Sequence, residues 1–225
     1  VGKTLDFLDE KWDINGDYDE VSKNQILSQA KFAHKNSLNT LADIGTLTHK
    51  WVENFIQSKI AKSEVPPYPK NTESQKACKV FQEWAEKHNV KFLFSEKKVY
   101  SKEHAYAGTC DVACDINGKV LVGDLKTSSG IYPEMFLQTA AYQLALEEEF
   151  PKFECHGNFI IRCGRDGTLQ IGGTEETEKN KEGFLSALFL WRRLKEMERQ
   201  HKEDEKEEET QDVENLNFKK LIGIA

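Results

Sequence analysis

The dipeptide Asn117–Gly118 lies between two runs of alternating apolar and polar residues, and no other feature of the 225-residue chain restricts the fold as strongly. Asn-Gly favours the two-residue type I′ turn, which joins two antiparallel strands with the twist that both strands already have. The turn also fixes the strand register. If Ile116 faces Lys119, the same register places Asp111 directly opposite Asp124. The sequence therefore predicts a β-hairpin in which two aspartates are neighbours.

The hairpin has one charged face and one apolar face. Side chains alternate between the two faces of a strand, so Lys126, opposite Thr109, shares a face with Asp111 and Asp124. The other face carries the residues of an apolar core: Cys110, Val112, Cys114, Ile116, Leu121 and Leu125. Two opposed carboxylates, with Cβ atoms about 4.5–5.5 Å apart, repel each other. One lysine offsets only part of this repulsion, whereas a divalent cation would offset all of it.

Carboxylate oxygens are ligands that Mg²⁺ and Mn²⁺ prefer. Lys126 would lie beside such an ion, where its amine can orient or deprotonate a water molecule or neutralise a phosphate oxygen. A surface cluster of salt bridges is the structural alternative. The apolar opposite face and the small residues Ala107, Thr109 and Ala113 near the acids favour the ion. We therefore interpret the charged face as a phosphate-directed metal centre.

Periodicity along the rest of the chain predicts a mixed α/β domain, with helices flanking a central sheet. Helical spacing covers residues 20–61, 73–89 and 132–149 and begins again near residue 178. A proline-rich loop covers residues 63–74. Strand patterns cover residues 90–101, 105–116, 119–128, 157–163 and 168–173. We expect one domain over residues 1–195. Its parts are a helical region at 1–89, a catalytic core at 90–175 and a C-terminal helix at 178–195.

The last thirty residues, 196–225, differ from the domain in charge. They hold ten acidic and five basic residues, a net charge of −5 out of −7 for the whole chain. Such a segment has little to bury, so it is either a solvated helix extension or a disordered tail. Its apolar end, "LNFKKLIGIA", would dock on the domain or bind a protein partner. The body is close to neutral, so its net charge does not exclude a basic groove for nucleic acid.

Five cysteines without a regular framework indicate a reducing compartment, either the cytoplasm or, if a targeting segment was removed, an organelle. No signal peptide is visible at the N-terminus. No apolar run approaches the ~20 residues that cross a bilayer, so we expect no membrane partner.

Four short motifs occur in an order that resembles the PD-(D/E)XK nuclease superfamily, and within it the RecB-like branch of CRISPR-associated, phage and mitochondrial exonucleases. They are "GTLTH" at Gly45–His49, "AGTCD" at Ala107–Asp111, "GDLKTS" at Gly123–Ser128 and "QTAAY" at Gln138–Tyr142. A single D-x-K is a weak signal, but four elements in the right order are a strong one. The resemblance covers roughly residues 40–165.

The resemblance implies a restriction-endonuclease-like fold, a mixed central sheet flanked by helices. It also implies that Asp111 and Asp124 bind Mg²⁺ or Mn²⁺, with His49 and the backbone carbonyl of Leu125 as further ligands. Lys126 would be the catalytic lysine. The alternative for His49 is a helix-face histidine that packs against an aromatic neighbour.

Other residues would complete the site. Gln138 and Tyr142 lie on one face of a helix, and the resemblance implies that they contact the substrate or the catalytic lysine; a core tyrosine beside a capping amide is the alternative. Thr127 and Ser128 precede a helix, where phosphate contacts are favourable, or they only form the turn. Glu96 would support a ligand or bind a second metal, and an exposed glutamate is the alternative.

Some members of this branch bind an iron–sulfur cluster, but the cysteine spacing here differs, so we expect no cluster. A zinc site at Cys155, His156 and Cys163 lacks the usual short spacing. We expect the cysteines to be small buried residues, with Cys110 and Cys114 on the apolar face of the hairpin.

The function implied by the resemblance is a Mg²⁺- or Mn²⁺-dependent deoxyribonuclease. It would be an exonuclease that hydrolyses phosphodiester bonds at single-stranded or duplex DNA ends in recombination, repair or DNA processing. Tyr132, Phe136 and Tyr142 would stack on bases, and a core position is the alternative for Phe136. Two alternatives stay open: a structure-selective endonuclease of the same fold, and a non-catalytic subunit for nucleic-acid binding or assembly. A metal-dependent phosphatase acting on small substrates is the weakest alternative.

Overall fold

The structure is a computed structural model that describes the backbone of residues 42–221 and the side chains of residues 42–206. In this part of the chain five strands form one sheet in the order β1-β2-β3-β4-β5. The strands are β1 (Lys91–Ser101), β2 (Tyr106–Ile116), β3 (Lys119–Lys126), β4 (Gly157–Cys163) and β5 (Leu169–Thr174). β3 and β4 are parallel, and the other neighbours are antiparallel. The expected α/β class with a mixed central sheet is confirmed.

Helices pack on both faces of the sheet. They are α1 (residues 42–61), α2 (Thr72–Lys87), α3 (Pro133–Glu149) and α4 (Thr177–Leu221). A proline-containing loop joins α1 to α2, and Asn71 caps α2 by accepting a hydrogen bond from the backbone N–H of Ser74 (2.9 Å). The predicted helical region at residues 20–41 lies outside the described residues. No helix in the described part of the chain is long and apolar enough to span a membrane.

Aromatic residues of α1 and α2 fill the first core, on one face of the sheet. Phe55 and Phe81 are fully buried and meet edge to face, with ring centroids 5.9 Å apart. From the sheet, Val112, Leu125 and residues of β4 enter the same core. Burying a side chain of this size contributes about 1.5–3 kcal/mol, so this core fixes α1 and its charged residues against the sheet.

A second core lies under α3. The buried face of this helix combines small residues, mostly alanines, with the larger side chains of Tyr142, Gln143 and Leu146. A buried polar chain also crosses this layer, because Asn158 of β4 donates to Gln143 (2.9 Å) and Gln143 donates to Glu147 (2.7 Å). Glu147 in turn accepts from Lys181 of α4 (2.7 Å). These contacts connect the sheet, α3 and α4.

The C-terminal helix is longer than expected. We expected a helix over residues 178–195, but α4 runs from Thr177 to Leu221. Of the two alternatives for the charged tail, the structure therefore contains the helix extension. Near its start Lys181 anchors α4, and one turn after Leu188 the guanidinium of Arg192 donates to the carbonyls of His104 and Ala105 (both 2.7 Å).

The register predicted from Asn117–Gly118 is correct only near the turn. Ladder pairs run from Ile116–Lys119 to Val112–Gly123, but the expected pair Asp111–Asp124 does not continue the ladder. The carboxylate of Asp111 instead accepts the backbone N–H of Leu125 (2.9 Å). A side chain has taken the place of a backbone partner, so the two strands part at this point.

The expected partner of Lys126 and the expected position of Cys110 are also wrong. The ladder between β2 and β3 ends at Val112–Gly123, so Lys126 does not face Thr109. The ladder partner of Lys126 is Arg162, on the β4 side of β3. Cys110 lies in the second core, opposite to Val112 and Cys114 in the first. Residues two apart in a regular strand share a face, but Cys110 and Val112 do not. The alternation of side chains is therefore interrupted next to Asp111, as it is at a β-bulge.

Candidate metal centre

Three candidate ligand groups meet beside the parted strands. The Nδ1 atom of His49 lies 3.5 Å from Oδ2 of Asp111 and 4.0 Å from Oε1 of Glu96, and the ligand atoms of all three residues lie within 4.8 Å of one another. α1 supplies the histidine, β1 the glutamate and β2 the aspartate. The three residues come from three separate elements, which the first core packs together, so the cluster is a product of the tertiary fold.

Glu96 reaches this cluster from a strained backbone. Its φ of 49° is a left-handed conformation that is uncommon for a residue other than glycine, asparagine or aspartate. The flanking residues Ser95 and Lys97 keep their ladder partners, so the distortion is confined to the residue that faces Asp111. Strain of this kind is concentrated at functional sites. The structure thus places Glu96 with its carboxylate among the candidate ligands.

Asp124 is the most deeply buried acid of the site, with 1% of the residue exposed. Its Oδ2 atom forms an ion pair with Nζ of Lys126 at 2.5 Å, but no partner among the described residues meets that oxygen with the geometry of a hydrogen bond. Leu125, between these two residues, points into the first core. Asp124 and Lys126 therefore face α3, on the opposite side of the strand.

The ammonium group of Lys126 is held by a short relay from α3. It donates to Oε1 of Gln138 (3.0 Å), and Nε2 of Gln138 donates to the hydroxyl of Tyr142 (2.6 Å). The two relay residues are four apart in a helix, so both reach the same strand. The structure brings the predicted pair Gln138 and Tyr142 to the predicted lysine.

Glycines of the motifs make these contacts sterically feasible. A Cβ atom at Gly108 would lie 2.8 Å from the ring of Tyr142, and one at Gly45 would lie 3.2 Å from Oγ1 of Thr127. Carbon atoms do not approach to 2.8 Å, so Gly108 is required for Tyr142 to reach the sheet. The four sequence motifs are therefore packed against one another in pairs.

Burial and charge repulsion change the protonation of the two aspartates. Burial raises the pKa of Asp111, nearby Asp124 raises it further, and the result is a pKa of about 7. Burial likewise raises the pKa of Asp124, although the adjacent Lys126 opposes this change. Two carboxylates that are both costly to ionise form a site with affinity for a positive charge.

The charged form of His49 is favoured, whereas the charged forms of the two aspartates are disfavoured. Burial alone would lower the pKa of its imidazole, but the neighbouring Glu96, Asp111 and Asp124 outweigh burial and leave the pKa raised. Its side chain is one-third exposed, while the aromatic residues of α1, Trp51 and Phe55, point into the core. His49 thus faces the acids and not the first core.

The predicted phosphate contacts have a mixed outcome. Thr127 lies beside Gly45 at the end of β3. The hydroxyl of Ser128 donates to the carbonyl of Gly130 (2.8 Å), so it is used within the loop. Arg162, which the sequence analysis did not select, holds this loop by donating from Nε to the carbonyl of Ser128 (2.7 Å). The position of Arg162 next to Lys126 follows only from the pairing of β3 with β4.

The predicted base-stacking residues do not form one surface. Tyr142 is only 9% exposed and packs on Gly108, so most of its ring is covered. Phe136 packs towards Gly172 of β5, where an added Cβ would lie 3.1 Å from the ring. Tyr132 is exposed, and its hydroxyl lies 2.8 Å from the Ser129 hydroxyl.

The cysteines are placed in or near the cores. Cys78, Cys110, Cys114 and Cys163 are buried, and burial raises the pKa of Cys78 and of Cys114 to about 12. Cys155 is half-buried. The neighbouring His156 accepts the backbone N–H of Val120 at Nδ1 (3.2 Å).

The donor set fits a divalent cation. His49, Glu96 and Asp111 offer one imidazole nitrogen and two carboxylates, and Asp124 adds a buried oxygen that lacks a hydrogen bond. Oxygen-rich sites with an imidazole suit hard or borderline divalent ions. A comparison with protein-family models and with curated proteins found no match for this chain. The case for a function therefore rests on this geometry and on the motif resemblance.

Proposed function

We propose that the protein is a Mg²⁺- or Mn²⁺-dependent deoxyribonuclease with a PD-(D/E)XK fold, and that it acts as an exonuclease on DNA ends. One observation carries the proposal. A buried aspartate, Asp124, lies beside a lysine that is fixed by Gln138, next to a cluster of three candidate metal ligands. A salt-bridge cluster with only a structural role would not need buried carboxylates. Exposed ion pairs contribute little stability, and burying the charges adds a desolvation cost.

His49, Glu96, Asp111 and Asp124 would hold the ion. A divalent cation held there would polarise the scissile phosphate and lower the pKa of a coordinated water molecule. The carbonyl of Leu125 stays a proposed further ligand. Its N–H group already positions Asp111 through their hydrogen bond.

Lys126 would act on the water and on the phosphate. An ammonium group has three donors. In the structure the ammonium group forms an ion pair with Asp124 and donates one hydrogen bond, to Gln138. Donors therefore remain to orient the attacking water or to stabilise the charge of the pentacovalent state. Tyr142 does not touch the reacting atoms; it fixes the amide of Gln138 and thereby the direction of the lysine.

The first test is digestion of end-labelled DNA. Linear and circular substrates, single- and double-stranded, are incubated with Mg²⁺, Mn²⁺ or EDTA. We compare the wild type with Lys126→Ala and with the matched control Lys119→Ala, an exposed lysine at the other end of the same strand. We expect metal-dependent loss of linear substrate, a decrease of about 10²–10⁴-fold in Lys126→Ala, and little change in Lys119→Ala.

Each other outcome has a defined meaning. Cleavage of circles would replace the exonuclease with the endonuclease. Equal cleavage by Lys126→Ala would refute the assigned site. No cleavage with either metal would favour the non-catalytic subunit, for which the long charged helix α4 offers a surface.

A further inference from the structure

A cleft adjoins the candidate metal centre on the side of α4. It has a volume of about 440 Å³, within the ~300–1,000 Å³ that is common for ligand sites. Gln138, the partner of Lys126, forms part of its wall. A ligand in the cleft is therefore separated from the lysine by one side chain. The remaining wall residues include Tyr106, Leu137, Ala141, Phe184 and Leu188.

The polar atoms of this wall are already engaged. The hydroxyl of Tyr106 donates to the carbonyl of Ala141 (2.7 Å), and Gln138 uses its amide group on Lys126 and Tyr142. The cleft thus offers hydrophobic and aromatic contact but few hydrogen bonds. The exposed carboxylate of Glu134 is part of the lining and would repel a phosphate group. The cleft therefore suits a flat, uncharged group.

The wall from α4 is held in place on both sides. Lys181 donates to Glu147 and to Glu178 (both 2.7 Å), and Arg192 donates to two carbonyls at the β1–β2 turn. Phe184 and Leu188 lie between these anchors on the same face of the helix. The ring of Phe184 meets that of Tyr106, with centroids 4.9 Å apart. The cleft is thus formed before any ligand binds.

We propose that this cleft binds the base of the terminal nucleotide, by stacking and apolar contact and without reading the base identity. The proposal rests on the proposed function, because it assumes that a phosphate of the same strand reaches the metal centre. Phosphate at the metal and base in the cleft would lie on opposite sides of Gln138. A site that offers mainly apolar and aromatic contact accepts every base, since each has a π-face.

The test measures binding without cleavage. Oligonucleotides with fluorescein at one end carry either a normal residue or an abasic residue at the other, in separate 5′ and 3′ versions. Dissociation constants are measured by anisotropy in EDTA and in Ca²⁺ with the full chain. We compare the wild type with Leu188→Trp, which fills the cleft, and with Leu190→Trp, a matched control at an exposed position of the same helix.

We expect the wild type to bind the normal end about ten-fold more tightly than the abasic end, for one of the two polarities. Leu188→Trp should reduce this ratio to near one, and Leu190→Trp should keep it. Leu188→Ala, which removes part of the wall, should also reduce it, so the test does not depend on one variant folding well. A ratio near one for the wild type at both ends would overturn the proposal, as would no DNA binding or an equal loss in Leu190→Trp.

The two proposals fail separately. Cleavage by the wild type without discrimination against abasic ends would refute only the base site. Discrimination that depends on Leu188, without metal-dependent cleavage, would refute only the nuclease activity.

Discussion

The two ends of the β2–β3 hairpin differ in what determines their structure. At the turn, Asn117 and Gly118 both have positive φ (54° and 83°), as a type I′ turn requires. Asp115 supports the turn by accepting the N–H of Gly118 (2.7 Å). Every one of these contacts is between residues close in sequence, so the turn chemistry alone fixes this end.

At the other end, distant residues determine the structure. Asp111 leaves the regular register, accepts the N–H of Leu125 and approaches His49 of α1. Gly123 fits because the ring of Phe159 from β4 occupies the place of a Cβ atom. The regular end therefore supports folding locally, whereas the irregular end exists only when helices and β4 are packed around it.

The largest effect should come from removing the charge of Asp111. Its pKa is raised from the ordinary value of 3.8 to about 7. The stability that this shift contributes is complete below about pH 3.8 and is lost as the pH rises through about 7, because the folded protein then resists ionisation. In the absence of metal, Asp111→Asn should therefore increase the free energy of unfolding at pH 8 by on the order of 2–4 kcal/mol.

Asp115→Asn is the matched control, since it changes the same residue type at the other end of the same strand. Denaturant unfolding in EDTA at pH 8 and pH 4 measures both variants. At pH 4 Asp111→Asn should differ little from the wild type. Asn keeps an acceptor for the Gly118 N–H, so Asp115→Asn should change stability by less than about 0.5 kcal/mol. Destabilisation by Asp111→Asn at pH 8 would contradict the charge repulsion at the site.

A smaller effect is expected from adding a methyl group at each end. Gly123→Ala would overlap the Phe159 ring and should destabilise by about 2–3 kcal/mol. Gly118→Ala meets no atom within 4 Å, and its cost comes from the φ of 83°, about 1 kcal/mol. Thermal unfolding of both variants measures the two losses of stability. A larger loss in Gly118→Ala than in Gly123→Ala would show that local turn chemistry outweighs packing at β4.

The smallest effect concerns the pH dependence of metal affinity. Protons compete with the ion for Asp111, whose pKa is about 7. Because His49, whose pKa is also raised, competes in the same way, binding of Mn²⁺ should weaken by about ten-fold or more per pH unit below pH 7, and by less above it. Isothermal titration calorimetry at pH 6, 7 and 8 measures this change. A constant affinity over that range would show that Asp111 does not bind the ion.

Much of the fold could be predicted from the sequence because its signals are local. The Asn-Gly turn, the alternation of β2 and β3 and the spacing of α3 each depend on neighbouring residues, and the structure contains all of these elements. The motif order also brought together Lys126, Gln138 and Tyr142, which the structure joins by hydrogen bonds.

The details of the site could not be predicted in this way. The left-handed φ of Glu96 follows from its tertiary surroundings, since no glycine or asparagine marks that position. The interrupted alternation that moves Cys110 into the second core has the same origin. Arg162 was missed because only the pairing of β3 with β4 places it next to Lys126. Each of these features depends on residues far apart in the chain.

Anomalous diffraction from crystals soaked in Mn²⁺ tests the central claim most directly, because it locates the ion itself. We expect a peak at the irregular end of the hairpin, within about 2.0–2.3 Å of carboxylate oxygens of Asp111 and Asp124 and of the imidazole of His49. The peak should be absent in Asp124→Asn crystals. A wild-type structure with no peak there, and with Asp124 still paired only with Lys126, would contradict this claim.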